Sequence, residues 1–224
     1  MDVTALIEQG LADLGLTLPP GAAGRLADFV ALLKKWNRGQ NLTAITEERA
    51  MVARHVLDSL AGLPWVRGAE VLDIGSGAGL PGIPLAIAEP SRRLVLLDSR
   101  RKRIQFLLHA RQVLKLDNIA PVQARFEEYL PERHVDTLTA RAFATLPELV
   151  RRTAPLVAEG ARLVAWQRDD PSQELGKTPP GEGFHCQAHA VRISGIAGPR
   201  HILVIESSRS PGRAAPGSSG GCPE

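Results

Sequence analysis

The stretch VLDIGSGAGLPGIPLA, Val71 to Ala86, runs from apolar residues into four glycines and back to apolar residues. A buried strand that gives way to a tight loop and then a helix reads this way. The same alternation continues downstream. RLVLLDS (93–99), VDTLTARA (135–142), ARLVAW (161–166) and HILVIES (201–207) are short apolar runs with the character of strands. NIAPVQA (118–124) is a weaker strand, because Pro121 interrupts it. Helical segments at Leu80–Ala88, Arg103–Leu114 and Leu146–Leu156 lie between most of them. Strand and helix in alternation predict an α/β layer fold with a mostly parallel sheet.

Upstream of residue 67 the pattern is helical. Val3, Leu6, Ile7, Leu11 and Leu14 share one face, as do Leu26, Phe29, Val30, Leu33 and Trp36. A third helix is predicted to start after Thr46 as N-cap, with Glu47 and Glu48 suiting its positive end and Val52, Val56, Leu57, Leu60 and Leu63 forming its stripe. Residues 1–66 therefore read as a helical N-terminal extension and 67–207 as the α/β domain. From Ser208 the chain is SRSPGRAAPGSSGGCPE, which predicts a disordered tail over 208–224. The stretch 171–187 is poor in apolar residues and reads as loop.

Composition bounds the function. Apolar residues make up 44 % of 224, enough for a sizeable core, and no apolar run approaches the ~20 residues that span a bilayer. No membrane partner is expected. The first residues are acidic with no basic leader region, and the only two cysteines, Cys186 and Cys222, make no disulfide framework. Both points indicate a reducing, cytoplasmic compartment. A net charge of +3 permits a nucleic-acid partner without demanding one.

Ligands of open α/β sheets sit beyond the C-terminal strand ends, which is where the loop from Gly75 to Gly82 falls. Gly77, Gly79 and Gly82 match G-x-G-x-x-G, a weak signal by itself that also suits an NAD-dependent oxidoreductase. Two details count against a pyrophosphate. Asp73, just before the loop, repels phosphates and attracts a cationic amino group, and Pro81 removes one N–H from any phosphate cradle. Asp98 ends the second strand about twenty residues on, where a carboxylate binds ribose hydroxyls. A loop flanked by two acids suits S-adenosylmethionine, which carries a ribose, an ammonium and a sulfonium but no phosphate. The bland alternative, glycines that only make a tight turn and let helix and strand pack closely, leaves both acids unexplained.

DIGSGAGLPGIPLA followed by LLDSRRKRIQFL resembles the RsmG (GidB) family of small-subunit rRNA guanine-N7 methyltransferases. WNRGQNLTAIT, RHVLDSL, VQARFEE and ARAFA (140–144) resemble further signatures of that family, so the similarity spans roughly residues 30 to 206. The resemblance implies a Rossmann-like methyltransferase domain, with helices on both faces of the sheet, an antiparallel last strand and a helical N-terminal extension. It implies S-adenosylmethionine as donor, and 16S rRNA, within the small ribosomal subunit, as partner. It implies that Gly75 and Leu80, with Gly77 and Gly79 in the same loop, line the cofactor site. Phe126 and Glu127 bracket the adenine, and Arg141 reaches the methionine end or the RNA. One departure is Gln167-Arg168, where relatives tend to carry Lys-Gly. A non-catalytic RNA-binding or ribosome-assembly module is the other alternative, and the intact loop and both acids count against it.

The chain lacks an [ND]-P-P-[YFW] loop for exocyclic amines and a Pro-Cys context for pyrimidine C5 chemistry. Guanine N7 carries a free lone pair and needs neither. Arg100, Arg101, Lys102 and Arg103, and Lys34, Lys35 and Arg38, are two basic clusters that suit either phosphate or solvent. Trp36 and Phe143 are candidate stacking partners for a base, with Trp36 expected in the core. His185, Cys186 and His189 are read without a metal. Arg54 and Asp58 are spaced to pair on a helix surface.

Overall fold

The computed structural model describes residues 2–177 and 183–208. The tail expected from Ser208 onward therefore lies, from 209, outside the described residues, as does Cys222. Seven strands form one sheet in the order β3-β2-β1-β4-β5-β7-β6. These are β1 (Glu70–Ile74), β2 (Arg93–Asp98), β3 (Ile119–Gln123), β4 (Thr137–Arg141), β5 (Arg162–Gln167), β6 (Phe184–Val191) and β7 (Arg200–Ser207). The first five are parallel, and β7 runs antiparallel to both β5 and β6. Parallel neighbours need covered crossovers, which α5 (Gly82–Ala88), α6 (Arg101–Val113) and α7 (Leu146–Ala158) supply. Pro121 is tolerated because β3 is an edge strand.

Alternate residues of the central strands enter different cores. Val71, Leu94 and Leu96 face one, while Leu72, Ile74, Val95 and Leu97 face the other with Leu146, Leu149 and Val157 of α7. The first core also takes in α1 (Val3–Asp13) and α2 (Ala22–Gln40), through Ile7, Leu26, Phe29 and Leu33 packed together with Ile83, Phe106 and Leu107. The N-terminal helices thus share their core with the sheet. No helix among the described residues is long and apolar enough to cross a membrane.

The third helical segment differs from its expected form. It is α3 (Glu48–Met51), a π-helical turn over Val52–Leu57 and α4 (Asp58–Leu60) in continuous succession. Its N-cap is Glu47, not Thr46: the Glu47 carboxylate accepts from Arg49 N at 3.0 Å and Ala50 N at 2.6 Å. The wide turn breaks four-residue stacking, and the expected Arg54–Asp58 pair does not form. Arg54 is exposed, while Asp58 is buried against Arg141 and Arg200. The stretch 171–187 is not all loop. It holds α8 (Ser172–Lys177) and the first residues of β6. β6 is an edge strand whose residues are half-buried or exposed, with Phe184 and Cys186 against one core and Val191 against the other, so no apolar run betrays it.

Candidate active site

A cavity of about 540 Å³ opens at the C-terminal ends of the parallel strands, beside the reversal of strand order between β1 and β4. Gly75, Gly77, Leu80, Asp98, Phe126, Glu127 and Arg141 all line it. Sequence reasoning therefore brought seven of its nine residues to one place.

The glycine loop is pinned from below. Ser76 N donates to Leu97 O at 3.0 Å, and Gly79 N donates to Ser76 O at 2.7 Å. Asp98 faces the loop from the end of β2, accepting from Gly77 N at 3.0 Å and from Arg100 N at 2.8 Å. A carboxylate has about four lone-pair sites, so these two bonds leave acceptor capacity toward the cavity.

Asp73 and Gly79 lie behind the wall, and the expectation that Asp73 attracts a cationic ligand group is corrected. Its carboxylate is 0 % exposed and engaged by the protein: Oδ1 accepts from Thr139 Oγ1 at 2.9 Å and Oδ2 from Gly82 N at 3.2 Å. Burial pushes its pKa up from 3.8 to about 6, against the opposing pull of those hydrogen bonds. Gly79 has φ +79°, and a Cβ there would come 2.4 Å from Ile83 Cδ1. Gly82 has the role that the bland alternative gives the glycines, close packing of helix on strand. A Cβ on it would meet Leu96 Cδ2 at 2.3 Å and Asp73 Oδ2 at 2.7 Å, so only glycine lets α5 start against the strands. The third glycine of G-x-G-x-x-G is the signal for that.

Phe126 and Phe143 meet edge to face at 6.2 Å, and Arg152 sits over the Phe143 ring at 5.6 Å. Arg152 also pairs with Glu127 and Glu148, so it ties α7 to the loop after β3. Trp36 is half-buried against Phe106 and His109, away from the cavity, whereas Phe143 lines it. Of the basic residues after Asp98, Arg100 and Arg103 line the cavity and Arg101 and Lys102 are exposed. Lys34 pairs with Glu48 at 3.1 Å, and Lys35 and Arg38 are exposed. His185 and Cys186 are successive residues of β6, and His189 stacks on Trp65 at 4.6 Å. Gln167 and Arg168 line a second, smaller cleft with Trp166, Asp58 and Arg200. The Arg141–Phe143 segment is the wall shared with the main cavity.

Arg141, at the end of β4, is held by the helical segment that crosses above it. Nη2 donates to Arg54 O at 2.7 Å and lies 3.3 Å from Asp58, and Nη1 donates to Ser59 Oγ at 3.3 Å. Burial raises the Asp58 pKa, and the two arginines beside it oppose that rise. Leu42 and Thr43, in the loop after α2, and His55, in the π-helical turn, complete the cavity wall from the N-terminal region. The sequence signal for them is the family resemblance of the blocks WNRGQNLTAIT, which holds Leu42 and Thr43, and RHVLDSL, which holds His55.

The sheet order β3-β2-β1-β4-β5-β7-β6 with β7 antiparallel is a fold this chain shares with a SAM dependent methyltransferase from Aquifex aeolicus, at TM-score 0.54 and 14 % identity, over 79 % of this chain and 97 % of that one. It places the chain in the methyltransferase fold class. Cofactor-bound Rv0187 from MTB shares it at TM-score 0.59 and 17 % identity, over 84 % of this chain and 91 % of that one. So does P. horikoshii TYW2 in complex with MeSAdo, at TM-score 0.51 and 13 % identity, over 67 % and 61 %. Within that class the sequence is more specific. Residues 23–203 match the family model GidB, rRNA small subunit methyltransferase G. The chain is 41 % identical to Ribosomal RNA small subunit methyltransferase G of Legionella pneumophila, over 92 % of this chain and 96 % of that protein. It is 43 % identical to the protein of that name from Alkalilimnicola ehrlichii, over 88 % and 90 %. The chain belongs to the rRNA small subunit methyltransferase G family.

Proposed function

We propose that the enzyme transfers a methyl group from S-adenosylmethionine to N7 of a guanine in 16S rRNA. The observation that carries the cofactor reading is Asp98, a carboxylate with spare acceptor capacity at the cavity wall, facing a glycine loop. This donor and acceptor set fits an adenosine with a charged amino-acid end. Asp98 accepts the ribose hydroxyls, Phe126 and Glu127 flank the adenine, and Gly75, Gly77 and Leu80 pack along the body of the ligand. Arg141 faces the carboxylate end. Asp73 and Gly79 support the loop from behind.

The bound cofactor supplies an electrophilic methyl group on a sulfonium. Guanine N7 has a lone pair and no proton to lose, so it would accept that methyl group directly, with the sulfonium's positive charge passing to the base and a neutral thioether left behind. No side chain has to remove a proton. The protein's task is to hold N7 in line with the breaking bond at near-attack distance. Phe143, on the wall between cavity and cleft, offers a ring face to an extruded base. Family membership supports the rRNA substrate, and the N7 and 16S assignments rest on the sequence resemblance.

The test is methyl transfer from labelled S-adenosylmethionine to small subunits that lack this modification, followed by nucleoside mass spectrometry of the digested 16S rRNA. New 7-methylguanosine is expected. Label in any other nucleoside, or none at all with the cofactor bound, overturns the N7 reading.

A further inference from the structure

The wall that the N-terminal region gives the cavity has a defined polarity. His55 is 5 % exposed, with Nδ1 3.1 Å from Arg54 O and Nε2 2.8 Å from Thr43 Oγ1. Burial and the nearby Arg141 push its pKa down to about 4, so the imidazole is neutral at pH 7. A carbonyl only accepts, so Nδ1 carries the proton and Nε2 is the acceptor. Thr43 must then donate its single hydroxyl proton to His55. Ile45 N donates to Thr43 Oγ1 at 3.1 Å and takes one of the two lone pairs. The Thr43 hydroxyl is left with one acceptor position and no donor.

Beside it stands the opposite case. A guanidinium has five N–H donors and no acceptor, and the contacts of Arg141 with Arg54 O, Ser59 and Asp58 do not use all five. Arg54 O accepts from both His55 Nδ1 and Arg141 Nη2, so one peptide group sets the offset between the acceptor-only hydroxyl and the donor-only fork. A ligand that matches this pair in one cavity carries a hydrogen-bond donor for Thr43 and an anionic acceptor for Arg141. Of the groups of S-adenosylmethionine, its amino-acid end, an α-amino carboxylate, has both.

We infer that Thr43 and His55 form the ammonium-reading half of the subsite for the amino-acid end of the cofactor. Thr43 Oγ1 accepts from the ligand ammonium while Arg141 donates to its carboxylate. His55 is a positioning residue that fixes the direction of the hydroxyl. This rests on the reading that the cavity takes S-adenosylmethionine. It also fills the place left when Asp73 proved to be buried, because the cationic end still needs an acceptor.

Calorimetric titration of the full chain with S-adenosylhomocysteine, its desamino analogue and 5′-methylthioadenosine tests the inference. Thr43→Val should weaken S-adenosylhomocysteine about tenfold, the size of one hydrogen bond to a charged group. The two ligands without an ammonium should change less than about twofold. Thr43→Ser should keep wild-type selectivity. His55→Leu should lose part of it, and His55→Gln, whose amide oxygen takes the place of Nε2, should restore it. Equal weakening of all three ligands by Thr43→Val, or no weakening, overturns the inference and leaves the cofactor reading intact. A wild-type chain that binds none of the three overturns that reading, and this inference with it.

Discussion

Asp73 near the end of β1 and Asp98 at the end of β2 are carboxylates on neighbouring parallel strands, each just ahead of a loop. Their surroundings differ because of register. Asp73 pairs with Leu96, so Asp98 stands two residues further along the strand direction, about 7 Å higher. At the lower level the glycine loop and the start of α5 fold back over the strand. They close Asp73 in with Thr139 and Gly82. At the upper level the chain departs into α6, and Asp98 meets open cavity. An acid at a strand end is therefore a ligand contact or a loop anchor according to which level the loop covers. Two residues of register decide between them.

Substitution at the two positions should separate the roles. Asp98→Ala should lower affinity for S-adenosylhomocysteine about 100-fold, because two hydroxyl bonds to a charged acceptor go at once. Its Tm should fall by no more than about 4 °C, since only the bonds to Gly77 N and Arg100 N are lost. Calorimetry and a thermal melt read both, and an unchanged affinity would break the comparison at the Asp98 end. Asp73→Ala should do the reverse and cost about 2 kcal/mol in urea unfolding. It leaves the Thr139 hydroxyl and the Gly82 N–H buried without their acceptor. If stability holds and affinity drops instead, Asp73 reaches the ligand after all.

That difference of level is also where sequence reading stops. Apolar runs from Val71 and Leu94 predict strands because burial on both faces demands such runs, and Gly77, Gly79 and Gly82 predict the loop because few residues make that turn. Those signals are local. Whether Asp73 or Asp98 faces the ligand depends on pairing between strands, which no local pattern encodes. β6 went unread for a related reason: its eight pairs with β7 are main-chain bonds, indifferent to side chains that are half exposed. His55 and Thr43 fall in the blocks RHVLDSL and WNRGQNLTAIT, which mark the family but give neither residue a role. They lie far from the glycine loop in sequence, and a π-helical turn moves Arg54 and Asp58 off the spacing that an α-helix would give them.

The smallest effect follows from setting Asp73 beside His55, the two buried groups that titrate in opposite senses. Asp73 binds its proton with a pKa of about 6 when folded and near 3.8 when unfolded. Its contribution to stability is complete below about pH 4 and is lost as pH rises through 6. His55 has a pKa of about 4 when folded against 6.5 unfolded, so its contribution is complete above 6.5 and is lost as pH falls through 4. The windows overlap and the shifts are of similar size. The pair should therefore change wild-type stability by less than about 1 kcal/mol between pH 4.5 and 6.5. His55→Gln removes the rising contribution, so relative to wild type the variant should lose stability as pH is raised across that window. Asp73→Asn removes the falling one and should gain. Urea unfolding of the three proteins at the two pH values measures the differences, in which titrations common to all three cancel. Three identical pH dependences would mean that neither side chain meets in solution the burial that sets Asp73 apart from Asp98.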